Sequence, residues 1–138
     1  MKFRGLYFLI AFSISLFSCE DEETKIDECN APRACTYDLR SVSIEIKNTD
    51  GEPVILDDFY TFFDSRKKLE YEYFSKENGV YPVLTDSEIS HLDRSGTTLI
   101  FVGEKDGRNI VEHQMVIGHD CCHVILIEGD DKIVIEDL

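Results

Sequence analysis

The chain has 138 residues, of which 14 are basic and 28 acidic, for a formal net charge of −14. That length suits one domain and is short for two. A surface so acidic repels phosphate backbones and offers no polybasic patch to anionic lipid, which excludes nucleic acid and a charge-held membrane contact.

The first element is a leader. Lys2 and Arg4 precede an uncharged apolar run, Leu6 to Phe17, of 12 residues. A spanning helix needs roughly 20, so the run fits the apolar core of a signal peptide over residues 1–18. It ends in Leu16-Phe17-Ser18-Cys19. This resembles the lipobox of bacterial lipoproteins, in which the Cys is lipidated through sulfur and becomes the mature N-terminus. Cys19 is the expected lipidation site, and two or more acyl chains there anchor stably where one is marginal. The run Glu20-Asp21-Glu22-Glu23 that follows looks like the acidic stretch of surface-exported lipoproteins of the Bacteroidota type. That resemblance implies an outer-membrane, cell-surface location, with the periplasmic face as the alternative. Loss of Lys2 and Arg4 with the leader leaves 12 basic and 28 acidic residues, a net charge of about −16. Residues 19–34 read as an acidic tether and 35–138 as the folded domain.

Strand signals then recur at roughly ten-residue spacing. In Arg40–Lys47, Val42, Ile44 and Ile46 alternate with Ser41, Ser43, Glu45 and Lys47, one face in and one out. Asn48–Pro53 is a turn built on Asp50-Gly51. Pro53–Asp64 gives a second strand that bends near Asp57-Asp58. Lys67–Gly79 alternates Leu69, Tyr71 and Tyr73 against Glu70 and Glu72, then turns at Asn78-Gly79. Val80–Asp86 carries Pro82, which suits an edge strand or an extended link. Ser87–Gly96 is the one stretch that fits a helical turn or two. Thr97–Gly118 is a hairpin about Lys105-Asp106-Gly107, and residues 121–136 read as a last hairpin over Gly129-Asp130-Asp131. The expected fold is all-β: a single antiparallel Greek-key β-sandwich of seven or eight strands.

The five cysteines are 19, 29, 35, 121 and 122. With Cys19 taken by lipid, Cys29, Cys35, Cys121 and Cys122 form two disulfides in an oxidising compartment, their pairing open. A vicinal Cys121–Cys122 link is the least favourable. Either other pairing closes loops of close to ninety residues, worth on the order of 4 kcal/mol each in the loop-entropy account.

The phrase from Val42 through Asp50-Gly51-Glu52-Pro53-Val54, the later hairpin and the "DCCHV" before the last strand resemble exported domains of the carboxypeptidase regulatory-like type. Those are transthyretin-like sandwiches that act as non-catalytic modules. The resemblance implies a binding or accessory role and carries over no catalytic residue.

The chain lacks the G-x-S-x-G, H-E-x-x-H and Gly-rich phosphate-loop patterns. His91, His113, His119 and His123 stand in no motif and are expected at the surface or at strand edges. Asp57-Asp58 and Asp130-Asp131 are turn pairs expected by chance in so acidic a chain, and no EF-hand loop occurs. On a strand His119, Cys121 and His123 would share a face, but without C-x2-C spacing they are a poor zinc set, so neither metal nor cofactor is expected. Phe59, Tyr60, Phe62, Phe63, Tyr71, Tyr73, Phe74 and Tyr81 crowd one region, and Tyr60, Tyr71, Tyr73 and Tyr81 are the candidate ligand-binding residues for a glycan or an envelope protein. Two alternatives stand beside the binding module: a metal-dependent or hydrolytic surface enzyme using residues 119–123, and a fimbria-like subunit. The charge favours a monomer.

Overall fold

The computed structural model describes residues 29, 34–63, 67–71 and 78–136. The chain divides into two compact units, Met1–Ala31 and Pro32–Leu138. Of the first only Cys29 is described, so the leader, the lipobox with Cys19 and the acidic run lie outside the described residues, as does Tyr73 of the second unit.

The second unit is an all-β sandwich of eight strands in two sheets. The strands are β1 Ser41–Asn48, β2 Asp58–Phe63, β3 Lys67–Glu70, β4 Val80–Thr85, β5 Thr97–Lys105, β6 Arg108–His119, β7 Val124–Glu128 and β8 Lys132–Ile135. A six-residue 3-10 helix, Asp86–His91, joins β4 to β5. The smaller sheet runs β4-β1-β8 and the larger β3-β2-β5-β6-β7.

The period-2 pattern places each strand. Val42, Ile44 and Ile46 are buried, and the residues between them are half-buried or exposed. From the facing sheet Phe59, Phe63, Leu99, Phe101, Met115 and Ile117 meet them in one core. Phe59 sits at its centre, its ring 5.0 Å from Tyr81 and 6.2 Å from Phe101. Thr61 shares that inward face; its hydroxyl donates to the Val83 carbonyl across the sandwich at 2.8 Å, which satisfies a polar group otherwise costly to bury.

Turn chemistry sets the register. Asp106 and Gly107 form a two-residue loop with φ of 50° and 70°, and Lys105 pairs with Arg108 across it. Two consecutive positive φ angles match the right-handed twist of a hairpin, and Asp-Gly adopts them readily. Pro82 lies in β4, at the edge of its sheet, beside a β-bulge opposite Val42/Ser43. An edge strand spares proline the ladder bond it cannot make.

Two expectations for the C-terminal third are corrected. Residues 121–136 do not form a hairpin: β7 closes the large sheet beside β6, while β8 crosses to the small sheet. There β8 runs parallel to β1, with Glu45 opposite Lys132 and Asn48 opposite Ile135, so the sandwich is not purely antiparallel. Gly129, at φ 106°, makes the sharp break that lets the chain change sheets. Asp120–His123 is likewise not strand but a tight turn between β6 and β7.

Candidate functional site

Two regions carry the residues the sequence singled out. The first is the Asp120–His123 turn. Asp120 organises it: its carboxylate accepts from the backbone N–H of Cys122 at 2.9 Å and of His123 at 2.7 Å. Those bonds hold the Asp120 carboxyl below the usual range. Cys121 takes φ 78°, and His119 Nδ1 accepts from its N–H at 3.1 Å. Such geometry favours Asp and short loops over strand.

Cys122 is bonded to Cys35, 87 residues earlier, with Cα atoms 5.4 Å apart. Cys29 and Cys121 are disulfide-bonded as well, so the chain carries two disulfides and no vicinal one. Oxidation takes the thiols from any metal set, and His119 and His123 have different partners: His119 accepts from the Cys121 N–H, while His123 meets Asp86 and Thr36.

His123 is the correction among the histidines. It is 5 % exposed, not superficial. Its Nδ1 lies 2.8 Å from Asp86 Oδ2, and its Nε2 lies 2.8 Å from the Thr36 hydroxyl. Asp86 opens the 3-10 helix, which Thr85 and Glu88 cap reciprocally. Its carboxylate also accepts from the N–H of Val124 at 2.8 Å and of Arg40 at 2.8 Å. Burial opposes the Asp86 charge, but the bonds from His123, Arg40 and Val124 outweigh it and hold the carboxyl below its usual range. Thr36, on the exposed segment 34–40, completes the chain of contacts. No sequence motif announces this set, because Thr36, Asp86 and His123 are far apart in the chain and come from three different segments.

The second region is the outer face of the large sheet. The register places Tyr60 beside Val102 and Glu70, and Phe62 beside Ile100 and Lys68. Val116 continues this face on β6, opposite Thr98, and Ile125 on β7, opposite Gly118. The Tyr60 hydroxyl donates to Glu104 at 2.8 Å, its ring meets Phe62 edge-on at 5.2 Å, and Lys68 Nζ lies 3.8 Å above it. The Glu104 bond, with burial second, pushes the Tyr60 phenol up to about 12. Phe62, Ile100 and Val116 are half-buried and Ile125 is exposed.

The other candidate tyrosines separate. Tyr81 is fully buried, its hydroxyl donating to the Val54 carbonyl at 2.8 Å and accepting from the Leu56 N–H at 2.9 Å. It is core and closed to ligand. Tyr71 is half-buried, stacked on Phe59 at 6.5 Å, and burial pushes its phenol well up. Of the described three only Tyr60 lies on the outer face, and it too is covered, at 8 % exposed.

Comparison with known proteins finds no matching family model, no similar curated protein and no similar solved structure.

Proposed function

We propose that this chain is a lipid-anchored module of the cell envelope that binds a partner on the outer face of its large sheet. One observation carries the reading. The outer face of a two-layer sandwich is ordinarily polar, yet here half-buried Phe62, Ile100 and Val116 and exposed Ile125 line it across four adjacent strands, with Tyr60 and Val102 beside them at 8 % and 3 % exposed. Glu70, Glu104, Glu112 and Gln114 stand among them. Aromatic rings beside carboxylates and amides suit a polyhydroxylated glycan or a protein surface. The anchor rests on the lipobox ending at Cys19 and the acidic run after it, and surface exposure on the same residues. Two disulfides agree with an oxidising compartment. The transthyretin-like resemblance fits eight strands in two sheets.

The test uses the full chain expressed in a bacterium with an outer membrane. Labelled palmitate should enter the wild type and not Cys19→Ala, and added proteinase should reach the wild type on intact cells. Soluble protein should be retained by a panel of envelope and dietary polysaccharides, and Phe62→Ser with Ile100→Thr should abolish retention while leaving thermal unfolding within a few degrees. Equal retention of the double variant removes this face as the site.

A further inference from the structure

We propose that Thr36, His123 and Asp86 form a nucleophile–base–acid relay that makes the Thr36 hydroxyl reactive toward small acyl esters. The inference goes beyond the binding-module reading and does not rest on it.

The geometry is that of an activated hydroxyl. The Thr36 Oγ1–His123 Nε2 and His123 Nδ1–Asp86 Oδ2 separations are both 2.8 Å, inside the reach such relays need. The base is oriented by a third group, as in the serine hydrolases, where threonine variants also occur. Asp86 is itself fixed, since both its oxygens accept backbone N–H groups besides the imidazole. Asp and His are shielded, with side chains 11 % and 7 % exposed, while Thr36 faces solvent. The adjoining residue on each side of the pair, Cys35 and Cys122, is joined by the disulfide, so the hydroxyl is held on its base covalently. A purely structural histidine needs neither an exposed hydroxyl nor this pre-organisation.

The step balances without a cofactor. The Thr36 proton passes to His123 Nε2 as Oγ1 bonds to the acyl carbon. The imidazolium, held by Asp86, then protonates the leaving alkoxide, and acyl-threonine and free alcohol result. Water attacks the acyl-threonine with the same base, giving acid and the original hydroxyl. Segment 34–40 is exposed throughout, so the relay has no pocket for a long acyl chain. It suits a small acyl group on a large substrate, such as an acetyl ester.

The probe is p-nitrophenyl acetate with the oxidised protein. Wild type should release nitrophenolate about 100-fold faster than Thr36→Val, near the low end of what a positioned base supplies. Thr36→Ser should retain the rate, and mass mapping should place the acetyl group on the Thr36 peptide. Thr36 is exposed, so its variants leave the core intact. Asp86→Asn, a positioning change, should lower the rate and shift the pH profile. Equal rates for wild type and Thr36→Val, or acetyl found only on lysine, tyrosine or His123, overturn the proposal.

Discussion

Replacing Tyr81 by Phe removes one oxygen atom from the centre of the sandwich and leaves the ring in place. Residues 54–56 lie outside the strands, and β1 serves only the Val54 N–H there, through the Ile46 carbonyl at 2.9 Å. The Tyr81 hydroxyl satisfies the Val54 carbonyl and the Leu56 N–H, in a site where Tyr81 is 0 %, Leu56 1 % and Val54 7 % exposed. Tyr81→Phe orphans a buried donor and a buried acceptor at once, each costing about 1–3 kcal/mol. We take about 3 kcal/mol for the pair, since the shape of the core is unchanged and no cavity term is added. For a domain near this size that lowers the melting temperature by roughly 12–24 °C. Tyr60→Phe is the matched control. It makes the same chemical change on the outer face, where Tyr60 is 8 % exposed, and loses one hydrogen bond to the Glu104 carboxylate, with an effect of about 1.5 kcal/mol. Urea unfolding followed by far-ultraviolet circular dichroism, disulfides intact, measures both. If Tyr81→Phe falls within about 0.5 kcal/mol of wild type, the reasoning that this hydroxyl holds residues 54–56 in place is wrong.

Alkali tests the same tyrosines by another route. Tyr60, Tyr71 and Tyr81 all have phenols raised in the fold, so the folded state keeps protons that the unfolded chain would release. Their contribution is fully present below about pH 10, the unfolded value, and is lost as pH rises toward 12; phenolate absorbance from these three should appear only together with unfolding. In acid the sign reverses: the depressed Asp86 and Asp120 carboxyls stabilise the fold above their ordinary range, and stability should fall as pH drops below about 4, less steeply in Asp86→Asn. Gly107 and Gly79 both take positive φ, but a Cβ at Gly107 meets open space while one at Gly79 would sit 2.7 Å from the Ile46 carbonyl oxygen. Gly107→Ala should cost about 1 kcal/mol of backbone strain and Gly79→Ala clearly more, read from the same urea transitions. Alkylation of unreduced protein should label none of Cys29, Cys35, Cys121 and Cys122, and a digest should contain a Cys35–Cys122 linked pair; a labelled thiol among them contradicts the two-disulfide structure.

Local chemistry made much of this fold legible. Alternation around Val42, Ile44 and Ile46 identified β1 and its inward face, Asp106-Gly107 marked the hairpin, and Pro82 marked an edge. What alternation does not encode is the neighbour. Lys132–Ile135 reads the same whether it pairs with β7 or runs parallel to β1, and only tertiary closure of the small sheet decides. Tyr71 and Tyr81 were also ambiguous, because an aromatic residue in a strand fits either face and the bulge at Val83 in β4 disturbs the count. The Thr36–His123–Asp86 contact was illegible for a different reason. Its members lie 37 and 87 residues from His123, and each is unremarkable in its own segment. The adjacent cysteines were the only sign that Asp120–His123 is a place where distant chain meets.

The Cys35–Cys122 bond also determines how the molecule bears force. If the chain is pulled from upstream, tension meets two disulfide-bonded cysteines, Cys29 and then Cys35, before it meets β1. Without these bonds it would reach Ser41 and peel β1 from its neighbours one hydrogen bond at a time. With them it bypasses residues 36–40 and passes into the turn at the end of β6, which is flanked by β5 and β7. The chain between Cys35 and Cys122, a sequence separation of 87, is then locked against extension, a reserve of roughly 300 Å of contour length that only a reductant would release. Stretching single molecules with and without reductant would reveal that length directly.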